Sequence, residues 1–293
     1  MTKSLTYYLV LFVLKIKGIK NLFSQDPINY QLLRKDDIHI PKQNFFPKNS
    51  FTSFQLMDSR ITEIKGNSKK LIIYIHGGAF IIGPSKHHWN TIKTLSKSTN
   101  YNIWLCDYPK APENKITTIN ENIDFVYETA VKDKHIDEIV LIGDSAGATL
   151  ILTLIQRKIK LNIYLPTKII LISPVLDASL ENSEITKLDK SDPMLAIKGL
   201  LSALRMCTED GNLKNTSISP LFGTFEGFPI SYLFIAENDV TFPDQLVLCH
   251  KLKELEVEHY VEIGKGMPHI WPLLPVMDES RKSLNRIIEI LNK

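Results

Sequence analysis

Two glycine-flanked turns in this chain could carry acyl-transfer chemistry. The first is Gly143-Asp144-Ser145-Ala146-Gly147, set between the β-branched run Ile139-Val140-Leu141-Ile142 and the apolar stretch Ala148-Thr149-Leu150-Ile151-Leu152. A strand that turns abruptly into a helix needs small flanking residues, which Gly143, Gly147 and Ala148 supply. Ser145 then stands clear of the backbone, and the positive end of the next helix favours negative charge beside it. A bare G-x-S-x-G arises by chance in ~0.1 of chains this long, so its placement carries the weight. The second turn is His76-Gly77-Gly78-Ala79-Phe80, directly after the run Leu71 to Ile75. An oxygen that becomes negative during acyl transfer needs N–H donors aimed at it. Gly77 and Gly78 are the natural donors, with the N–H of Ala146 as the third.

A serine nucleophile also needs a base, and the base needs an acid. Three histidines follow Ser145: His250 inside a helical stretch, His259 opening a strand, and His269 in the loop Gly264-Lys265-Gly266-Met267-Pro268-His269. A loop beyond a strand end suits a base, and His269 is the choice. The run Ile230 to Ile235 ends in Ala236-Glu237-Asn238-Asp239, which offers Glu237, Asp239 and, further on, Asp244. Asp239 is preferred because it lies in the loop; Asp244 is explained as a carboxylate at a helix N-terminus.

The elements that must position these residues alternate. Strands are expected at 71–75, 103–106, 138–142, 168–172, 230–236 and 259–263. Helices are expected at 89–98, 119–131, 146–158, 243–255 and 279–291. Such alternation builds a mostly parallel sheet with helices on both faces, and ligands sit at the carboxyl ends of its strands. Residues 1–50 and about 178–218 interrupt the pattern and are expected to form a cap over a catalytic domain spanning 51–293.

The chain has 293 residues, 44% hydrophobic and 23% charged, with a formal charge of +3, which suits a globular protein and gives no footprint for nucleic acid. Cys106, Cys207 and Cys249 have no metal-ligand spacing and fit a reducing, cytoplasmic compartment. Leu5 to Leu14 is a ten-residue apolar run followed by Lys15, Lys17 and Lys20 rather than a cleavage site. It is about half the ~20 residues a spanning helix requires, so no stable membrane insertion is expected. Covering a hydrophobic pocket is its preferred role, and an interfacial anchor is the alternative.

Together these residues resemble the hormone-sensitive-lipase-like branch of the α/β-hydrolases. The likeness rests on the two turns above, on Tyr108-Pro109-Lys110-Ala111-Pro112-Glu113, on Ser173-Pro174-Val175-Leu176-Asp177 and on Gly266-Met267-Pro268-His269. Asp192-Pro193-Met194-Leu195 and Ser219-Pro220-Leu221-Phe222-Gly223 are also similar. The resemblance implies an eight-stranded sheet and hydrolysis of short- to medium-chain acyl esters by Ser145, Asp239 and His269, with no cofactor or metal. Its chain order of serine, acid and histidine excludes His76 as the base and leaves it to fix the loop. Ala79 departs from the third glycine of many members, and the spacing after Asp239 leaves the role of Asp244 open. An amide or lactone hydrolase, or a non-catalytic receptor of the same fold, stays as an alternative, and a homodimer is left open.

Overall fold

The computed structural model describes residues 3–47, 49–274 and 276–293. Its strands are β1 (Thr52–Leu56), β2 (Ser59–Ile64), β3 (Lys70–Ile75), β4 (Asn102–Asp107), β5 (Glu138–Asp144), β6 (Lys168–Ile172), β7 (Ile230–Ala236) and β8 (His259–Gly264). They form one sheet in the order β1-β2-β4-β3-β5-β6-β7-β8. The β1–β2 and β2–β4 pairs are antiparallel and all the others are parallel. The last six strands fall where the apolar runs place them. The β1–β2 hairpin has no such run, because β1 is mostly exposed and alternates polar with apolar residues over only five positions.

Helices cover both faces. Over one face lie α5 (Ile116–Lys132), α6 (Ala146–Lys160) and α9 (Phe242–Glu254); over the other lie α4 (Lys86–Ser98) and α10 (Asp278–Leu291). The period of two along each strand divides the core accordingly. Leu71, Ile73, Ile75 and Leu141 pack with α5 and α6, whereas Ile72, Tyr74, Val140 and Ile142 pack with α4 and α10. The segments without strand signals are helical: α1 (Leu5–Ile16), α2 (Ile19–Leu22) and α3 (Tyr30–Leu33) near the N-terminus, and α7 (Ile185–Leu188) and α8 (Ile197–Cys207) after β6.

The register gathers four loops at one edge of the sheet. Ile75 lies opposite Gly143, Asp144 opposite Ile172, Ile172 opposite Phe234, and Ala236 opposite Gly264. Strands that end level in a parallel sheet release their loops along one edge. The loops after β3, β5, β7 and β8 therefore converge, and these carry Gly77, Ser145, Asp239 and His269.

Candidate active site

Ser145 sits at φ 50° and ψ −122°, a conformation an L-residue adopts only where its surroundings impose it. They do so from three sides. The Ser145 N–H donates to the Ile172 carbonyl at 2.8 Å. A Cβ on Gly147 would collide with the Ile75 carbonyl, and one on Gly143 would lie 2.8 Å from the Ala148 nitrogen. Tight packing of α6 on β3 and β5 thus forces the turn, leaving the Ser145 side chain at the N-terminus of α6, where the helix dipole favours an oxyanion.

Gly78 holds φ at 120°, the left-handed side open to glycine, and its carbonyl accepts from the N–H groups of Ile81 and Ile82 at 3.0 and 3.1 Å. The Gly77 carbonyl accepts from His76 Nδ1 at 2.7 Å. With both carbonyls engaged inside the loop, the N–H groups of Gly77, Gly78 and Ala146 meet no acceptor among the described residues. His76 itself is fully buried, stacks on Tyr108 with centroids 4.5 Å apart, and is pushed down to about 4, first by burial and then by Lys110. A neutral, stacked imidazole that bonds the Gly77 carbonyl fixes the loop and is remote from base chemistry.

His269 Nδ1 lies 2.6 Å from Asp239 Oδ2, and both side chains are buried. The other carboxylate oxygen of Asp239 accepts from the N–H and hydroxyl of Thr241 at 2.9 and 2.8 Å. Burial alone would lower the His269 pKa, but the facing Asp239 carboxylate outweighs it, so the imidazole is raised above its ordinary 6.5. The loop is pinned by a further contact, because Glu237 accepts the Gly266 N–H at 2.7 Å. Asp244 accepts from Asn182 at 2.8 Å and so ties the 178–218 segment to α9, whereas the carboxylate bonded to the histidine is that of Asp239. His250 lies within α9, and His259 bonds the Val257 carbonyl at 2.7 Å at the start of β8.

Ser145, His269, Gly77 and Gly78 line one cavity of about 480 Å³. Ser145 Oγ makes no hydrogen bond to any described residue, whereas its backbone carbonyl accepts from Thr149. The apolar walls include Leu22 and Phe23 from the N-terminal segment, Leu200 from α8, and Ile270 and Leu274 beside the histidine. The aromatics at positions 7, 8, 12, 45, 46 and 51 are not among its walls. Trp271 also stays outside it, buried with its Nε1 on Ser283 at 3.1 Å, where it anchors α10.

Two motif residues make contacts that the motifs themselves do not display. Asp144 accepts from the Tyr74 hydroxyl at 3.0 Å and His88 Nε2 at 3.4 Å; burial would raise its pKa, but His88 leads the contacts that hold it well below the carboxylate range. His87, His88 and Asp144 bring candidate ligand atoms within 4.8 Å of one another. The Ser85 N–H donates to His88 Nδ1 at 2.9 Å, however, so the His88 proton sits on Nε2 facing Asp144 and that nitrogen has no lone pair for a cation. Asp192 is the second residue. One of its oxygens accepts the N–H groups of Met194 and Leu195, and the other accepts that of Val240 at 2.9 Å, so it joins the segment after β6 to the loop of Asp239.

A family profile described as the alpha/beta hydrolase fold matches residues 72–273, more than two thirds of the chain. The chain belongs to the α/β-hydrolase family. It is similar to an esterase of Acinetobacter venetianus, at 28% identity over 234 residues that cover 76% of each chain. It is also similar to the esterase LipU of Mycobacterium tuberculosis, at 24% identity over 77% of this chain and 78% of that one. A Staphylococcus aureus crystal structure superposes with a TM-score of 0.87 over 97% of this chain and 99% of that one, at 26% identity. An esterase from the bacterial hormone-sensitive lipase family shares the fold at a TM-score of 0.84 and 20% identity, over 99% of this α/β-hydrolase and 98% of that chain.

Proposed function

We propose that this α/β-hydrolase is a carboxylic ester hydrolase of the hormone-sensitive-lipase-like branch, with Ser145 as nucleophile, His269 as general base and Asp239 as its orienting acid. The single observation that carries the reading is the buried 2.6 Å His269–Asp239 pair opening into the cavity that also holds Ser145 and Gly78. In this mechanism His269 Nε2 takes the Ser145 proton as Oγ attacks the ester carbonyl carbon. The carbonyl oxygen becomes an oxyanion, received by the N–H groups of Gly77, Gly78 and Ala146. Collapse expels the alcohol, which leaves with the proton from His269, and water then releases the acid from the acyl-enzyme by the same steps. Residues 1–50 and 178–218 serve as the cap. A mostly apolar cavity of about 480 Å³ suits short- to medium-chain acyl groups.

The protein acts in the cytoplasm in this reading, where unpaired Cys106, Cys207 and Cys249 stay reduced. No helix among the described residues is long and apolar enough to cross a membrane. Its partner is the ester rather than nucleic acid, and the edge strand β8, with Tyr260 and Ile263 exposed, is the surface for a homodimer. The test is hydrolysis of p-nitrophenyl esters of increasing acyl length by the parent and Ser145→Ala. Turnover that peaks at short to medium chains and vanishes in the variant is expected. A folded parent that hydrolyses no ester, amide or lactone would favour a receptor instead.

A further inference from the structure

We propose that the outer face of α1 docks this protein on an anionic phospholipid bilayer, with the mouth of the cavity turned toward that surface. The helix is apolar on both sides. Tyr7, Val10, Leu11 and Leu14 face inward, and the Tyr7 hydroxyl donates to the Gly266 carbonyl at 2.9 Å. Ser4 bonds Glu279 through both its N–H and its hydroxyl, which fixes the start of α1 to α10. The opposite stripe is Leu5, Tyr8, Leu9, Phe12, Val13 and Ile16, each between 41% and 89% exposed. Their spacing of three and one residues places all six on one helical face. Scattered apolar residues at a surface are ordinary, but a continuous stripe of this size marks an interaction site.

Charge selects the occupant. Residues 1–25 contain Lys3, Lys15, Lys17 and Lys20 and no acid. The cavity rim continues the pattern, because the exposed Lys17, Lys35, Lys42 and Lys86 line it against Asp36 and Asp37. None of these four lysines is in an ion pair among the described residues. A second copy of this chain docked through the same face would bring lysine against lysine, whereas anionic headgroups match both the stripe and its collar. The twelve residues of α1 reach about 18 Å, short of the ~30 Å hydrocarbon core, so the helix lies in the interface instead of crossing it. Leu14 and Lys17 both belong to α1 or its end and line the cavity, so an ester leaving the lipid surface meets the cavity at once.

Co-sedimentation of the full chain with vesicles of phosphatidylcholine, with or without phosphatidylglycerol, tests this directly and needs no catalysis. Binding to the phosphatidylglycerol vesicles alone, weakening as salt rises, is expected. Leu9→Glu/Phe12→Glu, both exposed and outside the cavity, should lower the partition coefficient more than about tenfold and leave hydrolysis of p-nitrophenyl acetate as in the parent. Lys15→Gln should weaken binding by about fivefold. Equal binding by parent and double variant, or no binding at low salt, would overturn the proposal. So would a dimer in size-exclusion chromatography that the double variant dissociates while neither protein binds vesicles. Vesicle binding by a protein that hydrolyses no ester would leave the docking intact and remove only the catalytic reading.

Discussion

In the proposed mechanism Asp239 does more for His269 than hold it still. Because the imidazole is raised above 6.5, it stays protonated to a higher pH than a free histidine, and only the neutral form can take the Ser145 proton. The acid limb of kcat/KM should therefore have its midpoint above pH 6.5; a midpoint below that value in a pH–rate profile would contradict the assignment of the base. The three residues act as a unit, so their losses should not add. Ser145→Ala and His269→Ala should each lower kcat by roughly 10⁶-fold, and the double variant should be no worse. Asp239→Asn should cost about 10⁴-fold, because it favours the wrong tautomer. The three proposed triad positions can be read from the sequence because each lies in a loop just after a clear strand. The Asp144–His88–Tyr74 cluster was not, since contacts between β3, α4 and β5 depend on register, which composition does not display.

At the scale of elements, the turn at Ser145 depends on how closely α6 approaches β3. Gly147→Ala would drive a methyl group into the Ile75 carbonyl and should destabilise by about 1–3 kcal/mol, measured as a lower urea midpoint with an unchanged slope. Asp192 tests a longer connection. Replacing it with alanine leaves the buried N–H of Val240 without its acceptor, at a cost of about 1–3 kcal/mol. If the contact positions the Asp239 loop, kcat should fall in Asp192→Ala while KM stays close to the parent value. Five strands were readable because buried parallel strands form continuous apolar runs, β8 was readable although it is exposed at the sheet edge, and the five helices were readable because they are amphipathic. The β1–β2 hairpin was missed because exposure leaves β1 only a weak alternation. The cavity walls are not legible in the sequence for a different reason: Phe23 and Leu200 come from segments far apart in the chain that only the fold brings together.

For the molecule as a whole, the reading requires chemistry at one oxygen nucleophile despite three free thiols. Cys106 and Cys207 are buried; burial pushes the Cys106 thiol up to about 12, and Cys207 is also raised by burial. Cys249 is pushed up to about 11 by the same cause. Thiols held in the neutral form react slowly, so iodoacetamide applied to the native protein should leave ester hydrolysis intact. The most direct test of the central claim is intact-protein mass spectrometry after brief exposure to a fluorophosphonate, followed by peptide mapping. One adduct per chain, located on Ser145, is predicted, with none on Ser145→Ala and a markedly slower reaction in His269→Ala. An adduct on another residue, or full ester turnover by a chain that carries no adduct, would contradict the account.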